Sequence, residues 1–259
     1  MSQLLIDIGS SAFKWSILQE SELGAVESVL HTEVQLSDYL DVAWKELAVP
    51  DRVLISLVGH DDLLQTVTSW ANKHWQQPVE CITSDAALLG VSNAYQVPSQ
   101  LGSDRWLNLL VAHHRYPGNC CIINCGTAVT IDALNADGVH LGGMILPGRY
   151  MMQNCLYDRS AGIARALQQD IETEEKHDIL ASDTRSAIAI GSLYAIVALI
   201  DRFCSDIEAE LQAPVQCLLT GGDARDTRDL LQCRAIYVDN MVLQGLALLC
   251  EQTEAGHYL

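Results

Sequence analysis

Apolar and polar positions along the chain alternate in two rhythms, short strand-like runs and longer stretches with helical spacing. Gln3–Ile8 and Ala12–Leu18 are short apolar runs joined at Gly9-Ser10-Ser11, the pattern of an antiparallel hairpin. Arg52–Val58 and Val79–Ile82 read as further strands. Between them, Asp61–His74 sets Leu63, Leu64, Val67, Trp70 and Ala71 at the spacing of one helix face. A loop is expected over Leu89–Leu101, then a helix from about Ser103 with Trp106, Leu109, Leu110 and His113 on one face. Cys120–Asn124 starts again as an apolar strand. It turns at Gly126-Thr127 into a second strand through Asp132, and a Gly-rich hairpin follows toward Ile145. The remainder reads as a long helix (Arg185–Leu211), a strand (Val215–Thr220), a helix (Asp223–Gln232), a strand (Ala235–Val238) and a closing helix (Met241–Cys250).

The two openings superpose. Asp7-Ile8-Gly9-Ser10-Ser11-Ala12 matches Asn124-Cys125-Gly126-Thr127-Ala128-Val129, so an acid or amide, any residue, a glycine and a hydroxyl recur 117 residues apart. Glycine at such a turn lets backbone N–H groups approach a phosphate, hydroxyls add hydrogen bonds, and a carboxylate holds a metal ion or its waters. Two halves of like fold facing across a cleft are expected. The boundary falls in Tyr116-Pro117-Gly118, giving a first half over 1–116 and a second over 117–259.

Composition narrows the partners. At 259 residues, 49% hydrophobic and 19% charged, the chain can bury two modest cores. Fifteen Lys+Arg against 33 Asp+Glu leave a net charge of −18, which repels nucleic acid and obliges any nucleotide site to be built locally from N–H groups, a metal ion and a few cations. The N-terminus lacks the basic segment of a signal peptide, and the apolar run Ser186–Ile200 has 15 residues where a membrane span needs about 20. A cytoplasmic protein with no membrane partner is the expectation. Nine cysteines form no Cys-x-x-Cys pair and read as reduced core thiols, with Cys120, Cys121 and Cys125 in a buried strand and turn and no zinc site expected. Trp44, Trp70, Trp75, Cys217 and His140 read as packing.

The segment Asp7-Ile8-Gly9-Ser10-Ser11-Ala12-Phe13-Lys14 resembles the first phosphate loop of type III pantothenate kinases, Asp-x-Gly-Asn-[Ser/Thr]-x-x-Lys, whose Asp-x-Gly core recurs through the actin/Hsp70/sugar-kinase superfamily. Tyr95-Gln96-Val97-Pro98 with Leu101-Gly102-Ser103-Asp104-Arg105-Trp106 resembles that family's pantothenate-binding and catalytic segment. Gly126-Thr127-Ala128-Val129-Thr130-Ile131-Asp132, running on to Leu141-Gly142-Gly143-Met144-Ile145-Leu146-Pro147-Gly148, resembles its second-half signature. Thr184 and Thr220-Gly221-Gly222-Asp223-Ala224 continue the match in order.

The resemblance implies an α/β fold of two ribonuclease-H-like (actin-like) halves, mixed sheets flanked by helices, with the active site in the cleft between them. It implies transfer of the γ-phosphate of ATP to pantothenate, the first step of coenzyme A biosynthesis, by a cytoplasmic homodimer. Asp104 would be the catalytic base. Asp7 would hold Mg²⁺ through water, and Asp7 to Lys14 with Thr127 would bind ATP. Tyr95, Gly102, Ser103, Asp104, Arg105 and Thr184 would bind the substrate, with Arg105 matching two carboxylate oxygens. Asn124 stands where the family has an aspartate tied to a bound monovalent cation (K⁺ or NH₄⁺). An amide brings no charge, so weak potassium dependence or none is expected. Ser10 replaces the usual asparagine. A phosphohydrolase of the same superfamily, or a non-catalytic regulator binding ATP or pantothenate, are the alternatives; the first would not need the Gly102-Ser103-Asp104-Arg105 segment, and the second would form no product.

Overall fold

The computed structural model describes residues 2–167 and 180–254. The chain opens with the hairpin β1 (Ser2–Ile8) and β2 (Ala12–Gln19), then β3 (Glu22–Leu23), β4 (Glu27–Leu30), helix α1 (Leu36–Ala43), β5 (Arg52–Leu57), α2 (Asp61–Trp75) and β6 (Val79–Ile82). A small hairpin, β7 (Ala87–Leu88) and β8 (Val91–Ser92), and a 3₁₀ turn at Pro98–Gln100 lead into α3 (Ser103–Arg115). Next come β9 (Asn119–Cys125), β10 (Ala128–Leu134), β11 (His140–Pro147), α4 (Arg149–Arg159), α5 (Ala161–Leu167) and α6 (Thr184–Leu211). The chain continues through β12 (Val215–Thr220), α7 (Ala224–Arg228), β13 (Ala235–Tyr237) and α8 (Met241–Glu254).

Two compact units result. The first holds the residues up to Pro117, Asp137–His140 and the stretch from Asn240; the second holds Gly118–Ala136 and Leu141–Asp239. The chain passes from the first unit to the second after Pro117, and two later segments return to the first, so the units are not the continuous halves 1–116 and 117–259. Helix α8 does so because Gly245 lets it lie directly on α3, where an added methyl would stand 2.7 Å from Leu107 Cβ. Asp137–His140 returns because Gly138 accepts the backbone N–H of Ser92 at 2.9 Å beside the β7–β8 turn.

In the first unit the sheet order is β3-β2-β1-β5-β6, with β4 also on β2; β1 pairs antiparallel to β2 and parallel to β5. Alternate residues Leu4, Ile6 and Ile8 of β1 and Phe13 and Trp15 of β2 point into one core. Trp44, fully buried, stacks on Trp75 (5.5 Å, 22°) and meets Trp70 and Trp15 edge-on. The second sheet, β11-β10-β9-β12-β13, repeats this connectivity: β9 is antiparallel to β10 and parallel to β12. The repeat inferred from two glycine turns is thus a repeat of sheet topology.

Several local readings change. Leu89–Leu101 is not all loop, because Leu89 (φ 48°) and Gly90 (φ 80°) both take left-handed conformations, the requirement of a tight two-residue hairpin. The helix expected over Asp223–Gln232 ends at Arg228, since the N–H groups of Gln232 and Cys233 bond the Asp201 carboxylate at 3.0 to 3.1 Å instead of continuing a helical ladder. Helix α6 runs 28 residues, longer than the apolar run read from the sequence, and its length and composition would suffice to cross a membrane. Its buried residues Ile188, Ser192, Ile196, Ile200 and Cys204 form the single stripe of a helix packed on a protein core.

Candidate active site

Hairpin register builds the first loop. Asp7 pairs with Lys14 and Ile8 with Phe13, so Asp7 and Lys14 flank the Gly9–Ser11 turn on the face opposite the Ile6/Ile8 core. Gly9 N–H closes the turn onto Ala12 O at 3.1 Å. On its other side β1 pairs with β5, placing Asp7 beside Ser56.

Ser56 decides where Asp104 lies. Its hydroxyl meets that of Ser103 at 3.0 Å, and Ser103 Oγ also accepts from Leu57 N (3.2 Å) and lies 3.1 Å from Leu57 O, within donating distance. These bonds pin the first turn of α3 to β5 and bring the next residue, Asp104, within electrostatic reach of Asp7. Burial pushes the Asp7 carboxyl up to about 7, the Lys14 ammonium opposes that rise, and the Asp104 charge adds to it. Gly102 leaves the Asp104 carboxylate its position: an added methyl would fall 2.5 Å from Asp104 Oδ1 and turn that side chain aside. Ser103, expected to touch substrate, is buried with its hydroxyl engaged by the strand.

Tyr95 and Arg105 also meet. Arg105 is buried and donates from Nη1 to Tyr95 Oη at 2.8 Å, with its guanidinium 5.6 Å from the ring centre. His140, read from sequence as packing, stacks parallel to Tyr95 (6.2 Å, 14°) and its Nδ1 accepts from Ala94 N. Asn93 Oδ1 accepts from Tyr95 N at 3.0 Å.

Sequence reasoning missed two further residues at the first loop. His31 Nε2 lies 2.7 Å from Gly9 O and His60 Nε2 lies 3.2 Å from Ser10 O; a carbonyl only accepts, so each Nε2 carries the proton. They come from the β4–α1 link and the start of α2, and no local motif announces them.

In the second unit, Gly126 N–H bonds Ala128 O at 3.2 Å, making this turn one residue tighter than the first, and the register sets Asn124 opposite Thr130. The position equivalent to Lys14 across the hairpin is therefore Thr130. Thr127 is exposed, and its carbonyl accepts from Gly148 N at 2.9 Å. Gly221 (φ +100°) comes so close that an added methyl would stand 2.6 Å from Asn124 Oδ1. Asp223 N–H bonds Cys125 O at 3.1 Å; burial raises its carboxyl's pKa, which the guanidinium of buried Arg149 opposes. Thr184 is the first residue of α6, and the cap is Asp183, whose Oδ1 accepts from Ser186 N at 2.8 Å.

The structure thus joins Asp7, Lys14 and Asp104 in the first unit, Tyr95 with Arg105 in the same unit, and Asn124, Gly126 and Gly221 in the second. The carboxylates of Asp7 and Asp104 are the oxygen donors here that could hold a divalent cation or its waters; the Lys14 ammonium is no ligand and suits a phosphate instead.

Comparison with known proteins follows the same lines. A Nitrosococcus oceani type III pantothenate kinase is 38% identical over 257 residues, covering 96% of this chain and 94% of that one. Among solved structures, a Campylobacter jejuni protein assigned to the Baf family of transcriptional activators superposes with a TM-score of 0.61 at 19% identity over 97% of this chain and 99% of the other. A Sinorhizobium meliloti protein assigned as a 2-dehydro-3-deoxygalactonokinase gives a TM-score of 0.56 at 12% identity over 97% and 99%. The likeness to these two is one of fold. The sequence pattern of type III pantothenate kinases matches residues 3–206, and the chain belongs to that family.

Proposed function

We propose that Asp104 is the group through which this protein performs its family's reaction, the ATP-dependent phosphorylation of pantothenate to 4'-phosphopantothenate at the head of coenzyme A biosynthesis. The observation that carries the assignment is the electrostatic proximity of Asp104 to Asp7 beside Lys14. Phosphoryl transfer asks the protein mainly to position reactants and neutralise charge. Asp104 orients the pantothenate hydroxyl and takes its proton as the bond to phosphorus forms. Ser103 contributes by locking the helix turn that carries Asp104, and Gly102 leaves room for the carboxylate.

Arg105 binds the substrate carboxylate, with its guanidinium held by Tyr95 and Tyr95 braced by His140. The loop Asp7 to Lys14 and Thr127 bind the ATP phosphates, and Thr184 contributes to the substrate site. Asp7 would hold Mg²⁺ through water; the bound ion would neutralise charge on the phosphates.

Asn124 supplies an uncharged amide where the family pattern has a carboxylate, so potassium is not essential to this enzyme. The apolar residues Leu141, Met144 and Ile145 on β11 and Tyr150 and Met151 on α4 are exposed on the second unit, a surface that supports a homodimer. Nine free cysteines suit the reducing cytoplasm.

The test is to follow phosphopantothenate by mass in purified wild type and Asp104→Asn. The substitution keeps size and lowers kcat on the order of 10²–10⁴. Turnover within a few-fold of wild type would remove Asp104 from the chemistry.

A further inference from the structure

The fold of the second unit gathers cysteines that lie far apart in the sequence. Cys121 on β9 and Cys217 on β12 are paired in register, and both point into the core under α6. Cys204 comes down from α6 and Cys233 reaches in from the segment before β13. The Sγ atoms of Cys204, Cys217 and Cys233 all lie within 4.8 Å of one another, and Cys204 also shares a hydrogen bond with Cys121.

Packing alone would accept any small apolar residue at these positions. What packing does not require is the way Cys233 is held. Asp201 sits three residues before Cys204, on the same face of α6, and its carboxylate accepts both Gln232 N–H and Cys233 N–H at 3.0 to 3.1 Å. One helical turn therefore supplies a sulfur and clamps the segment carrying another, the outer support that ligands of metal sites receive.

We propose that Cys204, Cys217 and Cys233 form a binding site for a thiophilic d¹⁰ cation, Zn²⁺ or Cu⁺, entered from the half-buried Cys233. Metal–sulfur bonds of about 2.3 Å put thiolates roughly 3.8–4 Å apart, a contraction that small side-chain rotations supply. Binding forms three metal–sulfur bonds, breaks three S–H bonds and releases three protons to solvent, with no change of oxidation state. Cys121 stands by as a fourth thiol.

The experiment uses full-length protein with the exposed thiols removed by Cys81→Ser and Cys155→Ser, reduced and stripped of metal. Zn²⁺, and separately Cu⁺ under anaerobic conditions, are titrated against a competing chelator, and retained metal is counted after desalting. One equivalent of one of the two cations per chain is expected, and the two arms identify which. Cys217→Ser should abolish retention, Asp201→Ala should weaken affinity roughly 10–100-fold, and Cys250→Ala should leave it unchanged. Co²⁺ added to the background protein itself should show intense thiolate-to-metal charge-transfer absorption, a readout that needs no folded variant. Retention no greater than that of folded Cys217→Ser, or a Co²⁺ complex without sulfur charge transfer, overturns the proposal.

Discussion

Gly148→Ala tests how closely the Gly126–Thr127 turn, proposed above to bind ATP phosphates, must be held. Gly148 has φ −69° and ψ 172°, values open to any residue, so the substitution costs nothing in backbone conformation. The effect is steric. The added methyl would land on Gly126 O, 2.5 Å from Thr127 O and 2.9 Å from Thr127 C, all backbone atoms of the turn. Ordinary contact between such atoms needs about 3.3 Å or more, so the turn must retreat by roughly 1 Å. The 2.9 Å bond from Gly148 N to Thr127 O is stretched or broken in the process. A displacement of about 1 Å in a group that positions phosphate can cost on the order of 10²-fold in rate. Initial rates over a range of ATP concentrations, with mass detection of product, should show kcat lowered by about that factor while thermal unfolding remains cooperative. Gly162→Ala, where an added methyl meets nothing within 4 Å, is the matched control and should leave the rate unchanged. Wild-type kcat and ATP dependence in a folded Gly148→Ala enzyme would refute the reasoning.

Three more outcomes are expected. Trp44→Ala empties the centre of the tryptophan cluster and should destabilise the first unit by about 3–5 kcal/mol, read from denaturant unfolding. Wild type should show a weak dependence of rate on potassium concentration or none, and Asn124→Asp should strengthen it; a steep wild-type requirement would contradict the reading of Asn124. Ile145→Glu, at a residue 63% exposed on β11, should break the proposed dimer, seen by light scattering as a halved mass relative to wild type; an equal mass in both would contradict an interface on this face.

Features set by short-range chemistry were legible in the sequence. Gly9 and Gly126 announced their turns because a close approach of backbone leaves few substitutes, and the apolar run Leu4-Leu5-Ile6 announced β1 because both faces of that strand are buried. Asp104 stands out by motif; the Ser56–Ser103 contact beside it does not, since those residues are 47 apart in the sequence. His31, His60 and His140 escaped for the same reason: each acts by contact with a distant segment, and an isolated histidine carries no periodic signal. The shortened α7 and the thiol cluster share one hidden cause, a carboxylate on α6 that captures two N–H groups 31 and 32 residues further on.

The return of α8 to the first unit has a consequence for synthesis. The face of α3 around Leu107 stays bare until residues beyond Asn240 emerge from the ribosome, whereas every part of the second unit has been made by Asp239. The later-encoded lobe can therefore finish first, and the nascent N-terminal lobe waits with an uncovered hydrophobic helix, the stage at which a chaperone has most to grip.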